Sequence, residues 1–157
     1  MMIIESPHTP PSQNMCYRNV VGKGRAKTQR YRDWLVAFGY DLNLFMRGQQ
    51  PIKGPYTMVV TIDRRTRHKL SDASNRLKVL EDAIVAHGIV QDDRFAELVS
   101  IGWGDTEKGG VRVEIEAFDP AANVRIIRGS GDVYADLGVS RPTEKELAEL
   151  RRKFGVE

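Results

Sequence analysis

The stretch from residue 72 to residue 88 constrains the fold of this 157-residue chain more than any other part of it. Leu77, Leu80 and Ile84 recur at the spacing of one helical face, and Gly88 is suited to end a helix. The pattern therefore predicts an amphipathic helix that packs this face on a hydrophobic core.

The opposite face of this predicted helix is polar. At about 100° per residue, Asn75, Lys78 and Asp82 fall within a stripe roughly 60° wide. Asp72 or Ser74 is suited to cap the helix start. Because a helix N-terminus favours negative charge, this face is a candidate site for a phosphodiester group.

A pair of acidic residues, Asp92 and Asp93, follows the helix and precedes a predicted strand. A helix start and a strand end are rigid enough to bring carboxylates to one metal ion. A purely structural interpretation also stands, because Asp and Ser are common helix caps and Lys78 with Asp82 forms an ordinary i,i+4 pair. Spacing alone leaves both interpretations open.

Three sequence blocks resemble the RusA family of Holliday junction resolvases, small endonucleases found mainly in bacteria, prophages and phages. The first block is the pattern Asp72-x-x-Asn75-x-x-Lys78-x-x-x-Asp82, followed by Asp92-Asp93. The second is Pro10-Pro11-Ser12-Gln13-Asn14 with Tyr17-Arg18-Asn19, followed by a basic helix from Arg25 to Trp34. The third is Trp103-Gly104 with residues 107–110 before a closing strand. The resemblance covers roughly residues 5–118.

The resemblance and the periodicities together predict an α+β fold, a small mixed sheet with a C-terminal hairpin, covered by helices. We expect a single RusA-like endonuclease domain at residues 1–118 that acts as a homodimer. Val79 and Ala83, beside the polar stripe, are candidates for the dimer contact. Residues 119–157 form a C-terminal extension whose capping box at Thr143 predicts a short terminal helix. Three roles remain open for that helix: packing on the domain, extending the dimer interface or contacting DNA.

The resemblance implies a magnesium-dependent endodeoxyribonuclease, with Mn²⁺ as a substitute metal. It implies that Asp72 and Asp93 bind the metal with Asp92 beside them, that Lys78 stabilises the transition state and that Asn75 orients it or the metal shell. The implied substrates are four-way junctions and related branched DNA in recombination and repair, and the implied origin is phage or prophage.

One residue departs from the family pattern. Ser74 stands where the family usually has a second carboxylate, and a hydroxyl binds a hard cation weakly or through water. The alternative to the nuclease is therefore a protein that binds branched DNA and has weak or lost cleavage.

Two clusters of basic residues flank the acidic segment and are suited to a polyanion. The predicted DNA-binding residues are Arg18, Lys23, Arg25, Lys27, Arg30, Arg64, Arg65, Arg67 and Lys69. The competing interpretation is a solvated face and a loop, because the net charge of +3 is only mildly basic.

The remaining elements follow from local patterns. Residues 1–25 read as an extended arm with a turn at Gly22-Lys23-Gly24, and residues 27–38 read as an amphipathic helix ended by Gly39. On that helix, Tyr31 and Trp34 are expected in the core, although either is suited to stacking on a base. Residues 56–62, 95–103 and 111–115 alternate as strands, the last two as a hairpin.

Several classes of protein are disfavoured. The chain has a single cysteine, Cys16, so an internal disulfide is impossible and a reducing cytoplasm is expected. The opening Met1-Met2-Ile3-Ile4 is too short for an export signal, and no apolar run approaches the roughly 18 residues of a membrane span. The three histidines lack the spacing of zinc ligands.

Overall fold

The central element is strand β4 (Tyr56–Asp63), whose side chains are buried on both faces of the sheet, with Val59 the one exposed exception. This computed structural model describes residues 1–22, 24–69 and 71–119. Residues Met1–Phe118 form one compact unit. The predicted strand at residues 56–62 is confirmed and is one residue longer.

The main sheet is four-stranded, with β1 (Met2–Ser6), β6 (Val111–Ala117), β4 and β5 (Ala96–Gly104) in that spatial order. The β4–β5 pair is parallel, whereas β1–β6 and β4–β6 are antiparallel. The predicted α+β class and mixed sheet are therefore confirmed.

The predicted C-terminal hairpin is wrong. β5 and β6 follow one another in sequence, but β4 lies between them and pairs with both. A hairpin would have left one edge of β4 without its partner, and buried backbone groups need partners on both edges. The alternation of apolar residues and the glycine-rich link at residues 104–110 predicted the two strands correctly. They did not predict which strands pair.

A second, two-stranded sheet is formed by β2 (Tyr17–Val20) and β3 (Gly24–Lys27). The expected turn between them is confirmed at Gly22, whose φ of +73° favours glycine. The basic helix expected from Arg25 onward is wrong at its start, because β3 extends through Lys27. The following residue, Thr28, caps the helix by accepting a hydrogen bond from the backbone N–H of Tyr31.

Helix α1 (Gln29–Phe45) buries Tyr31, Trp34 and Phe38 in the core, as the periodicity predicted. Contrary to prediction, the helix continues through Gly39 for another turn and a half. A Cβ atom at Gly39 would lie 2.7 Å from Nε2 of His87. This glycine therefore permits close helix packing and does not end the helix.

Helix α2 (Leu77–Ala86) confirms the amphipathic helix of the central segment, and Gly88 follows it with a φ of +67°. Leu80 and Ile84 are buried as expected. Val79 and Ala83 are buried too, so the expectation that they supply a dimer contact is wrong. The buried face of α2 is wider than the stripe of Leu77, Leu80 and Ile84 indicated. The reason is that α2 contacts α1 and shares one hydrophobic core with the sheet.

The link between β5 and β6 is anchored by a buried carboxylate. Asp63 is fully buried and accepts hydrogen bonds from Arg65 and from the hydroxyl and backbone N–H of Thr106. These donors hold the pKa of Asp63 well below its usual range. At the end of the link, Gly110 lies so close to the backbone of Pro7 that a Cβ atom would collide with it.

Some predictions lie outside the described residues, namely the terminal helix near Thr143 and the position of Lys23. Of the helices that the structure does describe, none combines the length and apolar character needed to cross a membrane.

Candidate active site

The residues of the candidate site lie on the crossover that joins the parallel strands β4 and β5. α2 begins after a 3₁₀ turn, Ser74–Arg76, and Asp72 holds the start of that turn. Its Oδ1 accepts hydrogen bonds from the backbone N–H of Ser74 at 2.9 Å and from the Ser74 hydroxyl at 2.8 Å. Both hydrogen bonds from Ser74 therefore go to the same oxygen of the Asp72 carboxylate.

Lys78, in the first turn of α2, lies between two carboxylates. Its Nζ contacts Oδ1 of Asp82 at 2.9 Å and also donates to Oδ2 of Asp93. These hydrogen bonds, with Asp93 the stronger influence, raise the pKa of Lys78. Lys78 in turn lowers the pKa of Asp93. The cluster therefore carries two negative charges around one positive charge at neutral pH.

The two residues of the acidic pair have different partners. Asp92 caps the 3₁₀ turn Asp93–Phe95 by accepting a hydrogen bond from the backbone N–H of Arg94 at 3.0 Å. Asp93 instead bonds to Lys78. The fold thus brings Asp93 to the polar face of α2, while Asp92 fixes the turn that presents it.

A cavity of about 490 Å³ adjoins the first part of this segment. Asp72 and Asn75 line it together with Ser12 and Asn14 of the N-terminal block and Arg30 of α1. Three sequence segments that are far apart in the chain therefore meet at one concave surface, which is the usual shape of a binding site.

The predicted metal ligands separate into two groups. Asp72 and Ser74 bond to each other beside the cavity, and Asp93 bonds to Lys78. Within the residues described, no group of three or more His, Cys, Asp or Glu side chains is placed to hold a metal ion. The donor chemistry fits a hard divalent cation, because carboxylate oxygens are its preferred ligands and Asp93 already binds a positive charge.

The predicted DNA-binding residues are all exposed where the structure describes them, but several have partners. Arg64 pairs with Asp105 at 2.9 Å, and Arg65 pairs with buried Asp63 at 2.8 Å. Arg67 lies over the ring of Trp103. Arg25 and Lys27 likewise lie over the rings of Tyr17 and Tyr31. The other predicted residues are Arg18, Arg30 and Lys69.

Arg76 is a candidate functional residue that the sequence patterns did not single out. It lines the cavity, yet only 8% of its surface is exposed. A signal was present, because Arg76 precedes Leu80 by four residues and Ala83 by seven, which is the spacing of the buried face of the predicted helix. In the structure Arg76 lies in the 3₁₀ turn just before α2. An arginine at such a position requires an explanation.

A comparison with known protein families matches residues 7–116 to the family described as endodeoxyribonuclease RusA. The match covers well over half of the chain, and the protein belongs to this family. A search of curated proteins finds no significant match.

Membership in this family carries an expected activity. The family implies endodeoxyribonuclease activity on Holliday junctions, hence binding of branched DNA, and its nucleases generally depend on a divalent metal. Residues 7–116 enclose the N-terminal block, the cavity and the cluster around Lys78.

Replacing Lys78 with methionine is expected to raise the pKa of Asp93 toward the ordinary aspartate value of about 3.9, because the ammonium group lowers it. The ion pair favours the folded state above that unfolded value, and its contribution is lost as the pH falls through the lower, folded pKa. Titration of the carboxyl carbon by NMR measures the shift. Arg94→Met is the control, because Arg94 pairs with Asp92. An unchanged Asp93 titration in Lys78→Met would contradict the assignment.

Proposed function

We propose that this protein is a magnesium-dependent endodeoxyribonuclease that resolves Holliday junctions and related branched DNA by paired phosphodiester hydrolysis, with Mn²⁺ as a substitute metal. The observation that carries the proposal is the family match over residues 7–116, which contains the whole site. We expect it to act in DNA recombination and repair, and to do so in the cytoplasm.

In this proposal Asp72 and Asp93 hold the metal ion, with Asp92 beside them and Ser74 contributing a hydroxyl or a water-mediated contact. A bound divalent ion supplies a more acidic water for attack on phosphorus and a positive charge opposite the leaving oxygen. The carboxylates are suited to this role because Asp93 is 39% exposed and its lowered pKa keeps it ionised at neutral pH.

Lys78 is the proposed stabiliser of the negative charge that builds on the phosphoryl oxygens. Its side chain is half exposed, so the ammonium group is accessible to a phosphate as well as to Asp82 and Asp93. Hydrogen bonds to Asp93 and Asp82 raise its pKa, so the ammonium group is protonated at neutral pH. Asn75, which lines the adjoining cavity, orients the phosphate or the metal shell.

The DNA is held by basic residues from two parts of the chain. Arg18, Arg25 and Lys27 lie on the β2–β3 sheet, and Lys69 lies beyond β4. Arg64 and Arg65 are proposed as weaker contacts, because each already bonds to an acidic residue. Contacts on both sides of the acidic segment would hold the backbone across the bond to be cut.

The second candidate function is binding of branched DNA with weak or lost cleavage. Its support is Ser74, which replaces a family carboxylate and whose hydroxyl bonds to Asp72. Nicking of a labelled four-way junction in Mg²⁺ or Mn²⁺, against EDTA, separates the two candidates. Tight binding without nicking in either metal would favour the binding protein.

Asp93→Asn is expected to abolish nicking of the four-way junction and to leave junction binding in EDTA unchanged or tighter. The amide keeps the shape of the side chain but removes a charge that binds metal and repels phosphate. Asp33→Asn is the matched control, since Asp33 is an exposed carboxylate outside the cavity lining. Wild-type cutting by Asp93→Asn in Mg²⁺ would exclude Asp93 as a ligand.

Paired nicks on opposite strands need two linked active sites, so we propose a homodimer that forms without DNA. Val36 and Tyr40, 75% and 63% exposed and one turn apart on α1, are the proposed contact in place of buried Val79 and Ala83. Sedimentation velocity at micromolar concentration should show a dimer, and Val36→Glu with Tyr40→Glu should yield a folded monomer. A monomeric wild-type protein would overturn the proposal.

Ser74→Asp is expected to lower the Mg²⁺ concentration for half-maximal nicking by a factor on the order of ten, because it adds a charged oxygen beside Asp72. Nicking rates across a Mg²⁺ series for both proteins measure the midpoint. Ser100→Asp is the control, since it adds the same charge at an exposed position of β5 outside the cavity lining. A midpoint that stays fixed or rises would place Ser74 outside the metal shell.

A further inference from the structure

Two charged residues, Asp63 and Arg76, are buried in the described part of the chain, and Arg76 is the one without an oppositely charged partner there. Buried Asp63 is matched by Arg65. Arg76 donates from Nη1 to the carbonyl oxygen of Pro10, lies over the ring of Trp103 at 5.7 Å, and leaves Nε without a hydrogen-bond partner. Burial of a cation without a counter-ion is unfavourable, so an anion bound at the Arg76 guanidinium would be stabilising.

A second arginine faces the same cavity. Arg30, from the first turn of α1, lines it together with Arg76. Burial, and then the positive charge of Arg30, lowers the pKa of Arg76. An anion placed in the cavity would offset the burial of one guanidinium and the repulsion between the two.

The rest of the lining matches an anion with several oxygens. Hydroxyl and amide groups of Thr9, Ser12, Asn14 and Asn75 border the cavity, and Asp72 is the one carboxylate in its lining. A volume of about 490 Å³ accommodates a phosphate with part of its sugar, since a water molecule occupies roughly 30 Å³. The planar guanidinium groups of arginine match the paired oxygens of a phosphate.

We propose that this cavity binds one backbone phosphate of the DNA strand beside the phosphate to be cut, with Arg30 and Arg76 as its cationic contacts. The inference rests on the proposed action on branched DNA and adds a specific phosphate subsite to it. Asp72 and Asn75 belong to both the cavity and the candidate active site. A phosphate held by the two arginines would therefore fix the register of the strand relative to those residues.

The test combines protein and DNA changes that each remove one charge. Four-way junctions carry a single neutral methylphosphonate at successive positions near the crossover, and their binding is measured in EDTA, where no cutting occurs. With wild-type protein, one position is expected to weaken binding more than its neighbours. With Arg30→Gln, the loss at that position should largely disappear, because the two changes remove the same contact.

Arg47→Gln is the control variant, since Arg47 carries the same charge beyond the far end of α1 and does not line the cavity. It should retain the wild-type sensitivity at every position. The salt dependence gives a second readout, with the slope of log K against log salt reduced by about 0.9 for Arg30→Gln on duplex arms. Arg76→Gln, checked for folding by circular dichroism, should show the same loss of sensitivity as Arg30→Gln.

Additive effects of Arg30→Gln and of every methylphosphonate would overturn the phosphate subsite, whether or not the protein nicks DNA. Conversely, the protein could bind junctions with one methylphosphonate position whose effect disappears in Arg30→Gln, and yet show no nicking in Mg²⁺ or Mn²⁺. That result would support the subsite and refute the nuclease. Absence of any binding to a four-way junction would overturn both. If Arg76→Gln fails to fold, the Arg30→Gln result decides the outcome.

Discussion

The parallel pairing of β4 with β5 is the constraint on which the candidate active site depends. Two parallel neighbours cannot be joined by a tight turn, so the chain must cross from the end of one strand to the start of the other. Residues 64–95 make that crossover and carry Asp72, Lys78 and Asp93. β4 also pairs with β6 on its other edge, so the crossover is attached to the strand with the most extensive backbone pairing.

The sequence predicted what depends on neighbours close in the chain. Helix α2 and strand β4 followed from side-chain periodicity, and the contact of Lys78 with Asp82 followed from the i,i+4 spacing. The approach of Asp93 to Lys78 was anticipated only through the family pattern, because fifteen residues separate them and no period relates them.

The wrong predictions share a cause, since each concerned a property set by distant residues. Gly39 resembles a helix end in sequence, but His87 on another helix determines its role. The predicted hairpin failed because β4 takes the place between β5 and β6. Val79 lay outside the stripe defined by the leucines, yet packing of α2 on two sides buries it. Likewise, the contact of Arg76 with the ring of Trp103 joins residues far apart in the chain, which no local pattern relates.

The link at residues 104–110 resembles a glycine-rich surface turn, a region that usually tolerates insertions. Its backbone is instead fixed at Thr106 by buried Asp63 and at Gly110 by the backbone of Pro7. The turn near Gly48, after α1, is exposed and has open space around it. A fluorophore or affinity tag inserted inside the protein therefore belongs near Gly48, since an insertion at Thr106 would pull on the central strand through Asp63.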